Sequence, residues 1–478
     1  MKSSSTLLNK RGYIVFKNSI SLPEANKHKG VLTVKPEIQN SNFDNSTEKF
    51  PVYKENTKKL YLPKVYGIEN FGKPASIGWE ESSFQKTNIS FKGTLRSEQK
   101  EPGLKALESL KSERGGGILQ LPCGFGKTCL AIWLMCQLKV KTLVVVHKEF
   151  LLKQWIESIN KFAPGAKIGV IQGDKLEIEG SDICIGMLQS ISMKNYPADT
   201  FDSFNFTVID ECHFLGAKVF SKALFKIVSR YTLGLSATPT RPDGLEKVFK
   251  WHIGDVVYSV KREIKGITPR AIVYHYRHNP KKTNYKEIRD KNGNISVTSM
   301  LTLIVENKLR NTFIVEKLLE LVAEGRKILV LSERRGHLQE LDKLFKKSLR
   351  LEENESETKV ESGLFVGGMK EEQRKISSEC NVIFGTFQIA SVGLDISGLD
   401  TLVLATSKPG IVKNKKGEKL SGSMEQSVGR IFRKEHTKIR PLIIDIADIF
   451  SVFSYQAKKR KDFYKDNGYE IEVNERSE

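Results

Sequence analysis

Short, continuously apolar runs are the feature that most narrows what this chain can fold into. GILQL, TLVVV, DICIG, FTVID and TLGLSAT follow one another between residues 95 and 250, separated by segments with a helical period. An apolar run without alternation is a strand covered on both faces, and such strands spaced by helices build a parallel sheet in a doubly wound α/β domain. A second series begins near Ala271 with AIVYHY and continues through KILVLS, GLFVGG, CNVIFGT, TLVLAT and PLIIDI. Between its first two runs, Ile314, Leu318, Leu321 and Val322 share one helical face, and Gly325 supplies a stop. A length of 478 residues exceeds one ordinary core. The expected architecture is α/β, with two tandem doubly wound parallel-sheet domains over residues 95–255 and 256–450. A small accessory region, 1–94, precedes them and a basic tail, 451–478, follows.

The accessory region alternates GYIVF, VLTV and KLYLP with Asn, Ser, Lys and Pro, a texture of short strands and loops. Tyr53, Tyr61, Tyr66 and Trp79 stand among lysines there, either as stacking surfaces for bases or as a modest core. A net charge of +21, from 77 Lys and Arg against 56 Asp and Glu, favours a polyanionic partner, with nucleic acid ahead of an anionic membrane surface. No apolar run approaches the ~20 residues of a membrane-spanning helix, and the opening MKSSSTLLNKRGYIVF lacks the apolar segment of a secretory signal. An intracellular, reducing location is expected. The six cysteines form no CxxC pair and no zinc-type spacing, so buried free thiols are expected.

Chemistry concentrates first in LPCGFGKT, residues 121–128. The pattern GxxxxGK[ST] asks for Gly at the first position and this chain has Leu121. The context is nevertheless that of a phosphate loop, since GILQL reads as a buried strand and KTCLAIWLMCQL as an unbroken helix. Across Pro122, Cys123, Gly124, Phe125 and Gly126, backbone N–H groups and the positive helix end can hold phosphate oxygens, and the two glycines let the backbone approach closely. Lys127 is expected to reach the β- and γ-phosphates of ATP, and Thr128 to ligate Mg²⁺. FTVIDECH supplies the complementary carboxylates. Its apolar run delivers Asp210 and Glu211 to the carboxyl end of a strand, where open α/β sheets bind ligands. Asp210 is expected to hold the metal, mostly through its water shell, and Glu211 to orient and deprotonate the attacking water.

With these motifs in order, the chain resembles the superfamily 2 helicases over roughly residues 91–450, in the wording of the XPB-type and large-DNA-virus DECH-box members. The resemblance implies two RecA-like domains. LRSEQ resembles the upstream glutamine element, which implies Gln99 on adenine, and LPCGFGKT resembles the XPB-type loop, in which a leading Leu is normal. LVVVHKEFLLKQW resembles motif Ia, IGMLQS the contact motif ending in Ser190, and LGLSATPTRPDG motif III with its downstream turn. That turn usually reads Arg-Glu-Asp, and here it is Arg241, Pro242 and Asp243. In the second domain ILVLSERR resembles motif IV, and FGTFQIASVGLDI resembles motif V, which implies Thr386 toward nucleic acid and Asp395 toward the ribose. QSVGRIFRK matches motif VI. Its QxxGRxxR spacing places Gln426, Arg430 and Arg433 on one helical side, with the arginines able to reach the γ-phosphate.

His213, with no second histidine at ligand spacing, is read as a hydrogen-bonding link from the DECH element either to the turn of Ser236 and Thr238 or to motif VI. His147 is read as packing only. Ser190, Thr386, Arg334 and Arg335 are expected to contact phosphate and sugar, giving salt-sensitive binding of weak sequence preference. The resulting expectation is an ATP- and Mg²⁺-dependent DNA helicase or translocase, with RNA unwinding or an ATP-gated clamp as alternatives. The flanking segments resemble viral members that act in transcription, transcript release or repair. KKRK in the tail reads as a charged helix face, ahead of a nuclear address or a nucleic-acid contact.

Overall fold

The computed structural model describes residues 5–36, 48–122, 124–241, 243–260, 267–279, 281–282, 285–352, 360–388, 396, 398–408, 411–413, 419–421, 423–432 and 439–478. The chain divides into two compact units, Met1–Lys261 and Arg262–Glu478.

The first unit opens with β1 (Thr6–Asn9), β2 (Gly12–Phe16), β3 (Thr33–Val34), β4 (Phe50–Pro51), β5 (Lys54–Glu55), β6 (Lys59–Leu62) and β7 (Ser76–Ile77). Five of these make a small sheet in the order β5-β6-β2-β1-β7, and β3 pairs with β4. Leu8, Tyr13, Val15, Leu32, Leu60, Leu62 and Tyr66 form its core, with Tyr53 and Trp79 packed against them. Tyr53, Tyr66 and Trp79 are therefore committed to packing rather than laid out as a stacking face. The accessory region does not stand apart from the first α/β domain. Lys64, almost fully buried, donates from Nζ to the carbonyls of Gly115, Ser229 and Arg230 at 3.0, 3.1 and 3.1 Å. Burial pulls its pKa down to about 7.

The main sheet of this unit comprises β8 (Gly116–Gln120), β9 (Thr142–Val146), β10 (Ile168–Gln172), β11 (Lys175–Leu176), β12 (Ile183–Met187), β13 (Phe206–Asp210), β14 (Tyr231–Ser236) and β15 (Val256–Ser259). Their order is β11-β10-β12-β9-β13-β14-β8-β15. Apart from the antiparallel β10–β11 hairpin, all pairs are parallel. β9 and β12 are buried at every residue, as strands sandwiched between helices must be. The boundary expected at residue 255 moves, because β15 pairs with β8 as the edge strand of the first sheet.

The second unit holds β16 (Arg270–Arg277), β17 (Ile328–Ser332), β18 (Ser362–Phe365), β19 (Val382–Thr386), β20 (Thr401–Leu404), a hairpin of β21 (Ile411–Lys413) and β22 (Lys419–Ser421), β23 (Leu442–Asp448) and β24 (Glu470–Ser477). Its wholly parallel sheet runs β18-β19-β17-β20-β23-β16-β24. The helix Lys308–Ala323 buries Ile314, Leu318 and Leu321, and Gly325 follows with φ 74°. Residues 451–478 are a correction. They are no free tail but the helix Ser451–Asp466 and the edge strand β24, registered on β16 from Arg270↔Glu470 to Arg277↔Ser477. The KKRK run misleads because its Arg460 is fully buried, bonded through Nε to Asp445 of β23 at 2.8 Å. No helix among the described residues is long and apolar enough to cross a membrane. The acidic segment 353–359 and the middle of the basic hairpin, 414–418, lie outside the described residues.

Candidate nucleotide site

Sheet register assembles the site. Asp210, the last residue of β13, pairs with Leu235 of β14, and the next residue, Ser236, pairs with Gln120, the last residue of β8. The carboxyl ends of three adjacent strands thus deliver Asp210, Ser236 and the 121–126 turn to one edge. The turn is pinned to that edge by Leu121 N–H, which donates to the Ser236 carbonyl at 3.1 Å. Gly124 and Gly126 adopt φ 82° and 88°, a left-handed backbone that favours glycine. At Gly126 a Cβ would also lie 2.4 Å from Nε2 of Gln99. Lys127 opens the helix Lys127–Leu138, and its Nζ donates to the Leu121 carbonyl at 3.1 Å. Thr128 stands one residue further along that helix. Pro122 is described; Cys123 lies outside the described residues. Cys136, Cys184, Cys212 and Cys380 are buried.

Gln99 is 3% exposed and is bonded within the protein. Its Nε2 donates to the Phe125 carbonyl at 2.8 Å, and its Oε1 accepts from Arg96 N–H at 3.0 Å. It therefore braces the phosphate loop against the start of the helix Ser97–Lys111. Arg96 also donates to the Phe125 carbonyl.

Asp210 is half-buried, and desolvation, together with the neighbouring Glu211, raises its carboxyl to about 6. A hydrogen bond from Trp155 and the charge of Lys127 act in the opposite direction. The Trp155 contact, Nε1 to Oδ2 at 3.0 Å, escaped the sequence reading. Glu211 has φ 51°, one of three non-glycine residues with positive φ among those described; such strain is concentrated at functional positions. Its Oε2 is buried and accepts no hydrogen bond from the protein. His213 Nδ1 lies 3.4 Å from that oxygen, but burial and Arg241 hold the imidazole down to about 4, so it is neutral and makes no ion pair.

Of the two partners expected for His213, the structure supplies Ser236, with Nδ1 3.1 Å from its Oγ. Ser236 Oγ in turn accepts from Thr238 N–H at 3.0 Å. A second brace was not foreseen. Arg241 binds Asp243 from Nε at 2.8 Å and donates from Nη1 to the His213 carbonyl, so the outer residues of the Arg-x-Asp turn clamp the 3₁₀ segment Cys212–Gly216. Pro242 lies outside the described residues. His147 does pack, its ring 3.9 Å from that of Phe214 between centroids. Neither ring nitrogen has a protein partner, and burial pushes its pKa down to about 3.

The residues expected to meet nucleic acid stand on different elements: Ser190 in the short helix Leu188–Met193, Thr386 at a strand end and Arg335 at the start of the helix Arg335–Glu352. Ser190 Oγ accepts from Gly173 N–H at 2.9 Å. In the second unit Thr386 ends β19. Arg334 donates to the Thr298 carbonyl at 3.1 Å, and Arg335 is exposed. The motif VI segment departs from a continuous helix. The α-helix Ser423–Val428 gives way at Gly429 to a 3₁₀ turn, Gly429–Phe432. A 3₁₀ turn rotates the chain faster per residue than an α-helix does. Arg430 is 3% exposed. Arg433 and Asp395 lie outside the described residues, as does the side chain of Gln426.

The chain is similar to several known proteins. A family model described as "Type III restriction enzyme, res subunit" matches residues 92–241, the span from the Gln99 helix to Arg241. "Putative ATP-dependent RNA helicase L396" of Acanthamoeba polyphaga mimivirus is 34% identical over 470 residues, covering 98% of this chain and 86% of that protein. "Putative ATP-dependent RNA helicase QP509L" of African swine fever virus (isolate Pig/Kenya/KEN-50/1950) is 26% identical over 388 residues, covering 77% and 72%. The solved fragment of "a putative HsdR subunit of a type I restriction enzyme" from Vibrio vulnificus YJ016 shares the fold, with a TM-score of 0.55 at 17% identity over 84% of this chain and 72% of that one. The chain belongs to the superfamily 2 helicases, ATP-using enzymes that act on nucleic acid, and its two α/β units are their tandem RecA-like domains. Within that class its similarity to the mimivirus protein runs over nearly its whole length.

Proposed function

We propose that this enzyme is a DNA helicase or translocase of the XPB-type, DECH-box group, coupling ATP hydrolysis to movement on, or unwinding of, nucleic acid. The observation that carries the reading is the meeting, at one sheet edge of the first unit, of the glycine-bearing loop before Lys127 with the Asp210–Glu211 pair. Gly124, Gly126 and the helix end hold the phosphates through backbone N–H groups, while Lys127 neutralises the β- and γ-oxygens. The Thr128 hydroxyl and the Asp210 carboxylate are hard oxygen donors of the kind Mg²⁺ takes, and two such groups suffice for an ion that keeps several waters. When bound, the ion neutralises charge on the transferring phosphoryl group. Glu211, with a buried and unbonded oxygen, orients the attacking water and takes its proton.

The family motif assigns Arg430 and Arg433, with Gln426, to the γ-phosphate, Asp395 to the ribose and Gln99 to the nucleotide. Ser190, Thr386, Arg334 and Arg335 grip the strand through phosphate and sugar, and His213 with Ser236 and Thr238 couples that grip to hydrolysis. Motif wording favours DNA, and a role in viral transcription, transcript release or repair accords with the flanking segments. RNA is the second reading, favoured by the names of the two viral relatives. ATP hydrolysis measured in parallel with single-stranded DNA, duplex DNA and RNA separates them, with stronger stimulation by DNA expected and stimulation by RNA alone contradicting the proposal. Strand displacement in the same samples distinguishes a motor from an ATP-gated clamp.

A further inference from the structure

Trp155 sits on the helix Glu149–Phe162, whose buried residues Leu151, Leu152, Trp155 and Ile159 mark one helical face. The side chain is 1% exposed, and packing alone would be met equally by Phe. The indole does something a phenyl ring cannot: its Nε1–H lies 3.0 Å from Oδ2 of Asp210, a residue 55 positions away that ends the central strand β13. A buried indole needs an acceptor, and the half-buried Asp210 carboxylate supplies it.

We propose that Trp155 is a positioning residue of the ATPase site, clamping Oδ2 of Asp210 so that Oδ1 is the oxygen presented to the water shell of Mg²⁺. The inference rests on the reading of Asp210 as the Mg²⁺-holding carboxylate. A neutral donor suits this task. An arginine at the same place would compete with the metal for the carboxylate's charge, whereas an indole N–H fixes the direction of the group and leaves that charge to the ion. Partners of metal-binding side chains commonly change metal affinity by 10–100-fold when removed.

The test is nucleotide binding, read with fluorescent ADP first in EDTA and then across a Mg²⁺ titration, on the full chain. Trp155→Phe keeps the ring and removes the donor. It is expected to bind metal-free ADP within about twofold of the parent and to need about tenfold more Mg²⁺ for half of the metal-dependent gain in affinity. Asp210→Asn is expected to raise the Mg²⁺ requirement at least as far, and adding Trp155→Phe to it should change nothing more. An unchanged requirement in Trp155→Phe beside a raised one in Asp210→Asn overturns the role of Trp155 and leaves that of Asp210 standing. An unchanged requirement in Asp210→Asn overturns both. Should Trp155→Phe not fold, the parent chain labelled with ¹⁵N-tryptophan decides. With Trp79, Trp133 and Trp251 assigned by single Phe replacements, the Trp155 indole resonance is expected to shift when Mg²⁺ is added to the ADP complex, and an immobile resonance overturns the proposal.

Discussion

Two strands of this molecule end in the same way in sequence and in opposite ways in structure. β13 runs FTVID and stops at Asp210; β23 runs LIIDIAD and stops at Asp448. Asp448 meets Arg310 in a buried bidentate pair, Nε to Oδ1 at 2.7 Å and Nη2 to Oδ2 at 2.9 Å. Asp445, on the same strand, is likewise taken by Arg460 at 2.8 Å and by the Tyr464 hydroxyl at 3.0 Å. Asp210 receives a neutral indole instead, and the adjacent Glu211 keeps an oxygen to which the protein gives nothing. Charge cancelled inside the fold belongs to stability, whereas charge left uncancelled at a sheet edge is available to a ligand. An apolar strand ending in an acid does not reveal which it is; the partner does.

The largest effect that sharpens this contrast is expected from Lys127→Ala, which removes the cation meant for the phosphates. ATP affinity should fall roughly a hundredfold with little change in thermal stability, as equilibrium nucleotide binding and calorimetry will show. Next, Arg310→Met leaves Asp448 buried and uncompensated and should destabilise the second unit by ~3–5 kcal/mol. Asp210→Asn should leave the stability of the first unit near the parent value. Equal losses in denaturant titrations of the two variants would break the comparison.

Smaller is the loosening expected from Lys64→Met, which removes the Lys64 donor from the carbonyls of Ser229 and Arg230, and from that of Gly115, which keeps its bond from Thr232 N–H, at a cost of ~1–3 kcal/mol. Proteolysis should then release the accessory region while nucleotide binding stays within about twofold. The smallest effect concerns pH. In the first unit burial holds His147, His213 and His252 down to about 3, 4 and 3, and in the second it holds His337 to about 3. Each is below the ordinary 6.5, so in that window the unfolded chain binds more protons. Their contribution to stability is complete above pH 6.5 and is lost as pH falls toward 3–4. Asp210, raised to about 6, runs the other way and offsets part of one histidine. With three such histidines against one among the described residues, the first unit should lose protection first on acidification. Hydrogen exchange corrected for intrinsic rates, followed from pH 7.5 to 5, checks this.

The strands were legible because burial on both faces writes itself into a contiguous stretch, and the phosphate loop because its glycines, lysine and threonine act within eight residues. What escaped was long-range pairing. A tryptophan in FLLKQW shows that its face is buried, and a buried indole needs an acceptor, but nothing local says that the acceptor is Asp210. KKRK reads as a solvated face although Arg460 is drawn inside by Asp445. Gly429, taken as part of one helix, is where the α-helix tightens into a 3₁₀ turn. The resemblance points Gln99 toward adenine, and nothing local in the sequence announces its bonds to Phe125 and Arg96.

The central claim is that Glu211, beside Asp210, strained and with one carboxylate oxygen that accepts no hydrogen bond from the protein, performs the proton transfer of ATP hydrolysis. Steady-state turnover and ATP binding of Glu211→Gln, measured together at saturating nucleic acid, test it most directly. Binding within a few-fold of the parent with turnover reduced at least a hundredfold is the predicted result. Turnover near the parent level would contradict it.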